Sequence, residues 1–254
     1  MTEYGLIGFP LGHSFSRSFF TKKFADEGTD ATYLNFEIPD INMLPDIING
    51  HPNLKGLNCT IPHKEAVLAL LDDISEEAKE IGAVNVLKIR RGKGLSKKFP
   101  ERDFHITGYN SDIIGFCESI SPMLKPHHRN ALILGTGGAA KAISVGLKKM
   151  GLTYRYVSRK GGRDRFTYED ITDDIMQEYQ VVVNCTPVGM FPHTDEMPPL
   201  PYQALTDRHL LYDLVYNPEE TLFLKLGVQA GAATKNGLDM LRLQAIAGWD
   251  IWSK

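Results

Sequence analysis

Short apolar runs alternate with polar and amphipathic stretches along the first part of the chain. The runs Tyr4 to Gly8, Thr32 to Ile38 and Leu54 to Cys59 have the length and composition of β-strands. The stretches between them have room for helices. Strands that alternate with helices favour a mainly parallel sheet, so the pattern predicts an α/β fold.

The same alternation continues in the second part. The runs Ala131 to Leu134, Thr153 to Ser158, Gln180 to Asn184 and Leu210 to Tyr216 predict strands, and Asn236 to Trp249 has a helical pattern. A chain of 254 residues is long enough for two domains.

The junction between the two predicted domains lies in a helix. Asn110-Ser-Asp112 has good N-cap chemistry for a helix that runs to Ile120, and Ser121-Pro122 ends it.

A glycine-rich turn, Gly135 to Ala140, links a predicted strand to a predicted helix. Gly135 can adopt the backbone angles of a tight turn, and Gly137 has no Cβ to keep a pyrophosphate from the helix N-terminus. Ala140 is small enough for close packing of helix and strand. Such turns often only reverse the chain, but the strand-turn-helix context favours dinucleotide binding.

The end of the next predicted strand suggests which dinucleotide binds. Ser158, Arg159, Lys160 and Arg163 stand where an acidic residue would usually meet a free ribose 2′-hydroxyl. Cations there would neutralise a 2′-phosphate, which favours NADP over NAD. The alternative is a solvated basic loop.

Composition narrows the function classes. Hydrophobic residues make up 43% and charged residues 23% of the chain, and the formal net charge of −3 gives no general attraction to nucleic acid or anionic membranes. The first ten residues do not resemble a secretory signal, and no apolar run has membrane-spanning length. Cys59, Cys117 and Cys185 are too far apart to suggest a disulfide framework or a zinc site. We expect a cytoplasmic protein without a metal.

One segment is strongly basic. Residues 88–103, called the basic connection below, contain Lys88, Arg90, Arg91, Lys93, Lys97, Lys98 and Arg102 against Glu101 and Asp103. An RNA-binding arm would need interleaved aromatic residues, and only Phe99 is present. The pattern therefore favours a solvated, protruding loop or hairpin.

Several polar groups lie at or beyond the predicted strand ends. Ser14 and Ser16 could both donate to one anionic oxygen pair, or one of them could cap a helix. Thr60 ends a strand, and Lys64 falls in the first turn of a helix, where the partial positive charge makes its proton easier to release. Lys64 is thus a proton donor and acceptor, or only an exposed lysine.

Later motifs add an amide and a carboxylate. Asn85 and Asp112 each follow a glycine-containing motif, and a carboxylate near Lys64 would hold its ammonium, although Asp112 could serve only as a cap. Asn184 to Met190 suits the nicotinamide side of a cleft, or is only a turn set by its proline and glycine. Gln244 presents an amide from an otherwise apolar helix face.

Together and in this order, these segments resemble the shikimate dehydrogenase family over nearly the whole chain. The residues that carry the resemblance are Ser14 and Ser16, Thr60 and Lys64, Asn85, Asp112, the turn Gly135 to Ala140, Ser158 and Arg159, Asn184 to Met190, Tyr216, Gly237 and Gln244. The basic connection looks longer than is usual in the family.

The resemblance implies an α/β fold of two α/β domains with a cleft between them. A substrate-binding and catalytic domain with a mainly parallel sheet would comprise residues 1–112 and 237–254, and a Rossmann-like NADP-binding domain residues 113–236. The implied activity is the reversible, NADP-dependent reduction of 3-dehydroshikimate to shikimate, an oxidoreductase step in aromatic amino acid and chorismate biosynthesis.

The resemblance also implies roles for individual residues. Lys64 and Asp112 would be the catalytic pair. Substrate would be bound by Ser14, Ser16, Thr60, Asn85, Tyr216 and Gln244. The cofactor would be bound by Gly135, Thr136, Gly137, Gly138, Ala139, Ser158, Arg159, Arg163, Thr186, Val188, Met190 and Gly237.

Two other functions stay open at this point. One is a quinate/shikimate dehydrogenase with broader substrate or cofactor use. The other is a nonenzymatic NADP sensor, which would have no reason to keep Lys64, Asp112 and Gln244 together. In each case the expected partner is a small molecule, with no nucleic acid or membrane, and the protein is expected to be a monomer or homodimer.

Overall fold

A computed structural model describes residues 1–12 and 15–254. Contacts divide the chain into two compact units, Met1–Ser111 with Ala245–Lys254 and Asp112–Gln244. The second unit takes in residues 237–244, which the predicted boundaries place in the first domain. Among the helices of the described residues, none is both long and apolar enough to span a membrane.

Each unit contains one six-stranded sheet. The strands are β1 (Thr2–Gly8), β2 (Ala31–Glu37), β3 (Leu54–Cys59), β4 (Asp73–Ile74), β5 (Val86–Arg91), β6 (Phe104–Tyr109), β7 (Asn130–Leu134), β8 (Thr153–Val157), β9 (Arg165–Phe166), β10 (Val181–Asn184), β11 (Leu210–Asp213) and β12 (Ala233–Lys235). The α-helices are α1 (Phe15–Asp26), α2 (Leu44–Gly50), α3 (His63–Ala66), α4 (Glu76–Ile81), α5 (Asp112–Ile120), α6 (Gly138–Lys149), α7 (Asp173–Glu178), α8 (Leu222–Gln229) and α9 (Leu238–Ser253).

The sheet of the first unit has the order β2-β1-β3-β5-β6-β4. Strand β1 is parallel to β2 and β3, and β4 is parallel to β6. Strand β5 is antiparallel to both of its neighbours, β3 and β6. Because only β5 is reversed, its first residue lies at the same edge as the last residues of β1, β3 and β6. This edge is the carboxyl edge of a mainly parallel sheet.

One face of this sheet packs against aromatic residues of α1 and the end of α9. The ring of Tyr4 stacks on Trp252 with a centroid distance of 4.9 Å, and Trp252 Nε1 donates to the Leu87 carbonyl at 3.0 Å. A Cβ on Gly56 would lie 2.3 Å from Trp252 Nε1, so glycine there leaves room for the indole. The final residues of the chain thus complete the core of the first unit.

The sheet of the second unit is parallel throughout, in the order β12-β11-β10-β7-β8-β9. Counted from β7, this order is the doubly wound arrangement of Rossmann folds. The chain reverses direction across the sheet between β7 and β10. Ligands in such sheets bind outside the carboxyl ends of the strands at this switch point.

The observed elements confirm most predicted ones. Strand β3 and helix α5 have the predicted bounds, whereas the strand predicted over Leu210 to Tyr216 ends at Asp213. The basic connection comprises the last residues of β5 and the loop that leads to the antiparallel strand β6, which confirms the predicted hairpin. Most residues of the segment are exposed, as expected for a solvated connection. In addition, Arg91, Lys98 and Arg102 donate hydrogen bonds to backbone carbonyls of other segments, which the sequence did not predict.

Candidate active site

The carboxyl edge of the first sheet brings together three predicted site residues. Thr60 directly follows β3, and its N–H donates to the Ile7 carbonyl at 2.9 Å. Asn85 directly precedes β5, and its carbonyl accepts from the N–H of Cys59 at 2.8 Å. The carbonyl of Lys64 accepts from the N–H of Val84, also at 2.8 Å. Because Cys59 precedes Thr60 and Val84 precedes Asn85, these bonds place the backbones of Thr60, Lys64 and Asn85 close together at this edge.

The side chain of Asn85 is held by Ser111. Its Oδ1 accepts from the N–H of Ser111 at 2.7 Å, and its Nδ2 donates to the Ser111 hydroxyl at 3.1 Å. Asn85 is 3% exposed, and its own N–H donates to the Tyr109 carbonyl at 3.0 Å. These bonds fix the amide at the point where β5 begins and β6 ends. Asp112, the first residue of α5, is the next residue after Ser111 and is buried.

A series of side-chain hydrogen bonds connects Ser16 to the same edge of the sheet. The Tyr33 hydroxyl donates to Asn58 Oδ1 at 2.6 Å and is hydrogen-bonded to the Ser16 side chain. Asn58 Nδ2 points to the Asn85 carbonyl at 3.5 Å. Burial raises the pKa of Tyr33, so it stays a neutral phenol that can both donate and accept. The predicted substrate residue Ser14 lies outside the described residues.

Lys64 lies in the first turn of a helix, as predicted, and this helix is short. Helix α3 is a single turn, His63–Ala66, which continues as a 3₁₀ turn over Val67–Leu70. The macrodipole of one turn is small, so the argument from helix charge at Lys64 carries little weight. His63 is buried, and its Nε2 donates to the Ile38 carbonyl at 2.7 Å. The pairing of Lys64 with Asp112 stays a prediction.

In the second unit, Gly135 and Thr186 lie next to each other at the ends of β7 and β10. Gly135 has a φ of +101°, and a Cβ there would lie 3.1 Å from Thr186 Cγ2 and 3.3 Å from the Cys185 carbonyl oxygen. The N–H of Gly135 donates to the Val157 carbonyl at 2.8 Å. Two predicted cofactor residues therefore meet at the switch point of the sheet.

The N-terminus of α6 is open. Gly137 is the N-cap residue, and a Cβ added there meets no described atom within 4 Å. Among the described residues, no side chain caps this helix. The twelve-residue helix starts with Gly138, Ala139 and Ala140, and Thr136 precedes the cap and is exposed. Uncapped N–H groups at the start of a helix of this length suit an anionic pyrophosphate.

The residues predicted to contact a 2′-phosphate fall in two places. Ser158 follows β8, its Oγ donates to the Lys160 carbonyl at 2.6 Å, and Arg159 beside it is exposed. Arg163 instead lines an open cavity with Arg155 and other residues, and neither Ser158 nor Arg159 is part of that lining. Since β9 runs parallel to β8 and Arg163 precedes β9, Arg163 lies toward the amino end of these strands. Its cofactor role stays a prediction.

The turn after β10 is ordered by its own side chains. Asn184 Oδ1 accepts from the N–H and the hydroxyl of Thr186 at 3.1 and 2.6 Å, and the Thr186 hydroxyl accepts from the N–H of Val188 at 3.3 Å. Val188 is half-buried, and Met190 is exposed. The turn that Pro187 and Gly189 were expected to set is thus also held by the threonine.

The carboxylate of Asp213 holds Asn184, the residue that orders this turn, by a hydrogen bond. Its Oδ1 accepts from Asn184 Nδ2 at 3.0 Å and from the N–H of Val215 at 3.0 Å, and its Oδ2 accepts from the Thr221 hydroxyl at 2.6 Å. The carboxyl is fully buried, and burial raises its pKa to about 6 even though these hydrogen bonds favour the charged form. Asp213 is a positioning group for Asn184.

Three other predicted residues lie in the segment after β11 and in α9. Gly237 donates its N–H to the Val215 carbonyl at 3.1 Å, and a Cβ there would lie 2.1 Å from the Leu214 carbonyl oxygen. Gly237 therefore joins the start of α9 to the end of β11. Tyr216 is exposed, and Gln244 is half-buried with its Nε2 donating to the Leu241 carbonyl at 3.0 Å.

Tyr33, Asn58 and Asp213 were missed by sequence reasoning. Each is a buried polar residue within a strand of mostly apolar residues, and each holds a predicted site residue or its neighbour. A polar residue inside an apolar run was therefore the available signal. Within the described ranges, no group of three or more His, Cys, Asp or Glu side chains is arranged to hold a metal ion.

Known proteins are similar to this chain in sequence and in fold. A family model for the shikimate dehydrogenase substrate binding domain matches residues 6–87. A shikimate dehydrogenase (NADP(+)) of Methanococcus maripaludis strain C6 is 36% identical over 98% of this chain and 90% of its own.

Two solved structures also match nearly the whole chain. Shikimate 5-dehydrogenase from Thermus thermophilus, in complex with NADP(H) and shikimate, is 29% identical with a TM-score of 0.82, over 100% of this chain and 94% of its own. The ligand-free form of 5-ketofructose reductase from Gluconobacter sp. strain CHM43 is also 29% identical with a TM-score of 0.82, over 99% and 92%. The full-length match to the Methanococcus protein, together with the edge that carries Thr60, Lys64 and Asn85, shows that this chain belongs to the shikimate dehydrogenase family.

Proposed function

We propose that this protein catalyses the reversible, NADP-dependent reduction of 3-dehydroshikimate to shikimate, a step in chorismate and aromatic amino acid biosynthesis. The observation that carries the proposal is the hydrogen-bonded edge on which Thr60, Lys64 and Asn85 lie together. Residues with a hydroxyl, an ammonium and an amide, on backbones this close together, suit a small, polyhydroxylated acid. The relatives named for this activity support the same substrate.

The substrate is held by groups of complementary hydrogen-bonding character. Ser14 and Ser16 bind its carboxylate, and the Ser16 side chain is tied to the buried Tyr33. The ring hydroxyls are bound by Thr60, Asn85, Asp112 and Gln244, and Tyr216 lies near the substrate and the nicotinamide. Because Ser111 hydrogen-bonds both ends of the Asn85 amide, this side chain is held in one orientation.

Lys64 transfers the proton in this reaction. In the direction of reduction, its ammonium gives a proton to the carbonyl oxygen of the substrate, and the neutral amine is reprotonated from solvent. Asp112 holds the ammonium in place by charge. In the reverse direction, Lys64 accepts the proton of the hydroxyl that is oxidised, so one residue serves as acid and base.

The residues of the second unit fit NADP. The open N-terminus of α6 at Gly137 would accommodate the pyrophosphate, because no Cβ occupies that space. Arg159 would pair with the 2′-phosphate through charge-assisted hydrogen bonds. Thr186, Val188 and Met190, on the turn after β10, would contact the nicotinamide half. When bound, NADPH supplies the hydride that reduces the ring ketone.

We propose that the protein is located in the cytoplasm, since its relatives are biosynthetic enzymes. We also propose that it is a monomer or homodimer. Its partner is a small molecule, and it binds neither nucleic acid nor a membrane.

A second candidate substrate comes from the similarity to 5-ketofructose reductase, which matches this chain with the same TM-score as the Thermus enzyme. A ketose also presents several hydroxyls beside a carbonyl, and Thr60 and Asn85 could bind them. It has no carboxylate, however, and would leave Ser14 and Ser16 without an anionic partner. Quinate, which keeps the carboxylate, is the closer competitor in chemistry.

The test is the appearance of reduced cofactor, followed at 340 nm, when the purified protein meets each substrate with each cofactor. We expect kcat/KM to be highest for shikimate with NADP⁺, lower for quinate and lower again with NAD⁺. Fructose with NADP⁺ tests the ketose activity in the oxidative direction. Preference for quinate or fructose would replace the proposed substrate, and tight NADP⁺ binding without any turnover would favour a sensor.

A further inference from the structure

The basic connection folds back onto the segment that carries Lys64. This segment consists of α3 and the 3₁₀ turn Val67–Leu70 and ends at Leu71. The last carbonyl groups of a helical segment have no donors within the helix and need partners from elsewhere.

Two cations of the basic connection supply those donors. Lys98 Nζ donates to the carbonyls of Ala69 and Leu71 at 3.1 and 2.9 Å. Arg102 Nη1 donates to the carbonyl of Leu70, between them, at 3.0 Å. Three successive carbonyls are therefore bonded by side chains from outside the segment.

The two cations are themselves ordered by an aromatic ring. The Arg102 guanidinium lies 3.6 Å from the centroid of Phe99, and Lys98 Nζ lies 5.1 Å from it. Both distances are in the range of cation–π contacts. Phe99, which the sequence offered as a weak sign of RNA stacking, is thus occupied by the protein's own cations.

Asp72 ties the same region to the sheet. Its carboxylate accepts from the hydroxyl of Ser96 and from the N–H of Ile106 in β6, the latter at 2.7 Å. The Ser96 hydroxyl also accepts from the N–H of Phe99 at 2.9 Å. Ser96 is 3% exposed, so this part of the connection is buried against the unit.

The other end of the segment is held independently. His63 Nε2 donates to the Ile38 carbonyl at 2.7 Å, and the Lys64 carbonyl accepts from Val84 at 2.8 Å. Lys64 therefore lies near one fixed end of a short helical segment whose other end is fixed by Lys98 and Arg102. A single turn has little stability of its own, so its geometry depends on these end contacts.

We propose that Lys98 and Arg102 are positioning residues for Lys64: they lock the helical segment that carries it and thereby set the place from which its ammonium transfers the proton. The proposal rests on the proposed function, because that function gives the position of Lys64 its importance. Lys98 and Arg102 act through backbone carbonyls and do not contact the substrate.

The kinetic test compares neighbouring lysines. Lys98→Met and the double variant Lys98→Met/Arg102→Met remove the donors, whereas Lys97→Met removes an equal charge from an exposed neighbour that bonds none of these three carbonyls in the described residues. We expect kcat of the double variant to fall about ten- to a hundredfold, since small misplacements of catalytic groups have effects of this size. The KM for NADP⁺ should stay unchanged, and Lys97→Met should keep the wild-type kcat.

Rescue separates positioning from general destabilisation. Arg102→Lys keeps a donor within reach of the Leu70 carbonyl and should restore most of the kcat that Arg102→Met loses. Thermal unfolding of each variant shows whether it is folded at the assay temperature. Because the Lys98 side chain is exposed, Lys98→Met alone provides a folded variant for the comparison.

A second readout does not need turnover. Trace labelling with acetic anhydride, read by peptide mass spectrometry, gives the reaction rate of each lysine. We expect the Lys64 rate to change several-fold in the double variant and not in Lys97→Met, with the exposed Lys79 as internal reference. An unchanged kcat together with an unchanged Lys64 rate would overturn the positioning role. If the wild-type protein does not turn over shikimate but the labelling rate of Lys64 still changes in the double variant, the proposed function is wrong. The positioning of Lys64 by Lys98 and Arg102 is then still supported.

Discussion

Asn85 and Ser111 hydrogen-bond to each other through two pairs of atoms, the Asn85 Oδ1 with the Ser111 N–H at 2.7 Å and the Asn85 Nδ2 with the Ser111 hydroxyl at 3.1 Å. This double contact joins the start of β5 to the residue before α5. It fixes the amide predicted to bind substrate, and it does so one residue before Asp112.

Replacing Asn85 should therefore affect both stability and substrate binding. Asn85→Ala leaves the buried Ser111 N–H without its acceptor, which costs about 1–3 kcal/mol of unfolding free energy. It should also raise the KM for shikimate more than the KM for NADP⁺. Urea unfolding and steady-state kinetics check the two effects. Asn49→Ala, at an exposed asparagine, is the control and should match the wild type. Equal stability of the two variants would show that the contact with Ser111 contributes nothing.

Removing the Lys64 ammonium should act on the rate of proton transfer. Lys64→Met is expected to lower kcat by about 10²–10⁴-fold, the usual contribution of general acid–base catalysis, with a smaller change in KM. Lys55→Met removes the same charge from an exposed position of β3 and should keep the wild-type kcat. A kcat that survives in Lys64→Met would remove Lys64 from the mechanism.

Arg159 should determine the preference for NADP over NAD. Loss of a charge-assisted contact with the 2′-phosphate in Arg159→Ala should raise the KM for NADP⁺ about ten- to a hundredfold and leave that for NAD⁺ unchanged. Lys148→Ala, which removes an exposed charge near the far end of α6, controls for net charge. Arg163→Ala, measured alongside, shows whether the arginine in the separate cavity contributes. Parallel changes with both cofactors would contradict the assignment of Arg159.

The buried Asp213 carboxyl predicts a pH dependence of stability. Because burial raises its pKa to about 6, the folded protein binds a proton between about pH 4 and 6 that the unfolded chain has released. Stability from this group is therefore present at low pH and lost as pH rises through that window, by about 3 kcal/mol at about 1.4 kcal/mol per pH unit.

Asp213→Asn isolates this contribution. An amide has the same shape, can accept from Val215 and can donate to Thr221, but it does not titrate. The unfolding free energy of the variant minus that of the wild type should therefore increase from pH 4 to pH 8, as measured by urea unfolding at several pH values. Other titrating groups, including His128, whose pKa burial lowers, cancel in this difference. A difference that does not vary with pH would contradict the raised pKa.

Local patterns in the sequence were enough to predict most elements and the turn at Gly135. They could not predict that β5 runs against its neighbours, because apolar periodicity reports that a strand exists and not its partners or direction. That reversal places Asn85 beside Thr60. Arg163 shows the same limit: it is close to Arg159 in sequence, but the start of β9 carries it toward the other end of the strands.

The missed residues have a related cause. Asp213 and Tyr33 act through hydrogen bonds to residues distant in sequence, such as Asn184 and Asn58. A buried polar residue in an apolar strand shows that a partner is needed but not which one. The contacts of Lys98 and Arg102 in the basic connection were not predicted. Their hydrogen-bond partners are backbone carbonyls, and no sequence pattern marks a carbonyl as an acceptor for a distant side chain.

Two glycines of the second unit should respond in opposite ways to the same added methyl group. In Gly237→Ala, the Cβ would lie 2.1 Å from the Leu214 carbonyl oxygen, a backbone atom that cannot move aside cheaply. The start of α9 must shift, and we expect a loss of about 1–3 kcal/mol in unfolding free energy, as for other overpacked sites. In Gly137→Ala, the added Cβ meets no described atom within 4 Å, and the φ of −75° suits any residue. Its stability should stay within about 1 kcal/mol of the wild type, since only the N-cap preference changes.

Cofactor binding should be weakened in Gly137→Ala, the variant whose stability is nearly unchanged. The methyl group of Gly137→Ala fills the space in front of the α6 N-terminus, so the pyrophosphate loses close contact with the backbone N–H groups there. Losing one such charge-assisted bond raises the Kd for NADPH about ten- to a hundredfold. Fluorescence titration with NADPH, next to urea unfolding, measures both properties on the same samples. If Gly137→Ala binds NADPH as the wild type does, the cofactor does not approach α6 through this glycine, and the fit of the turn to a pyrophosphate is wrong.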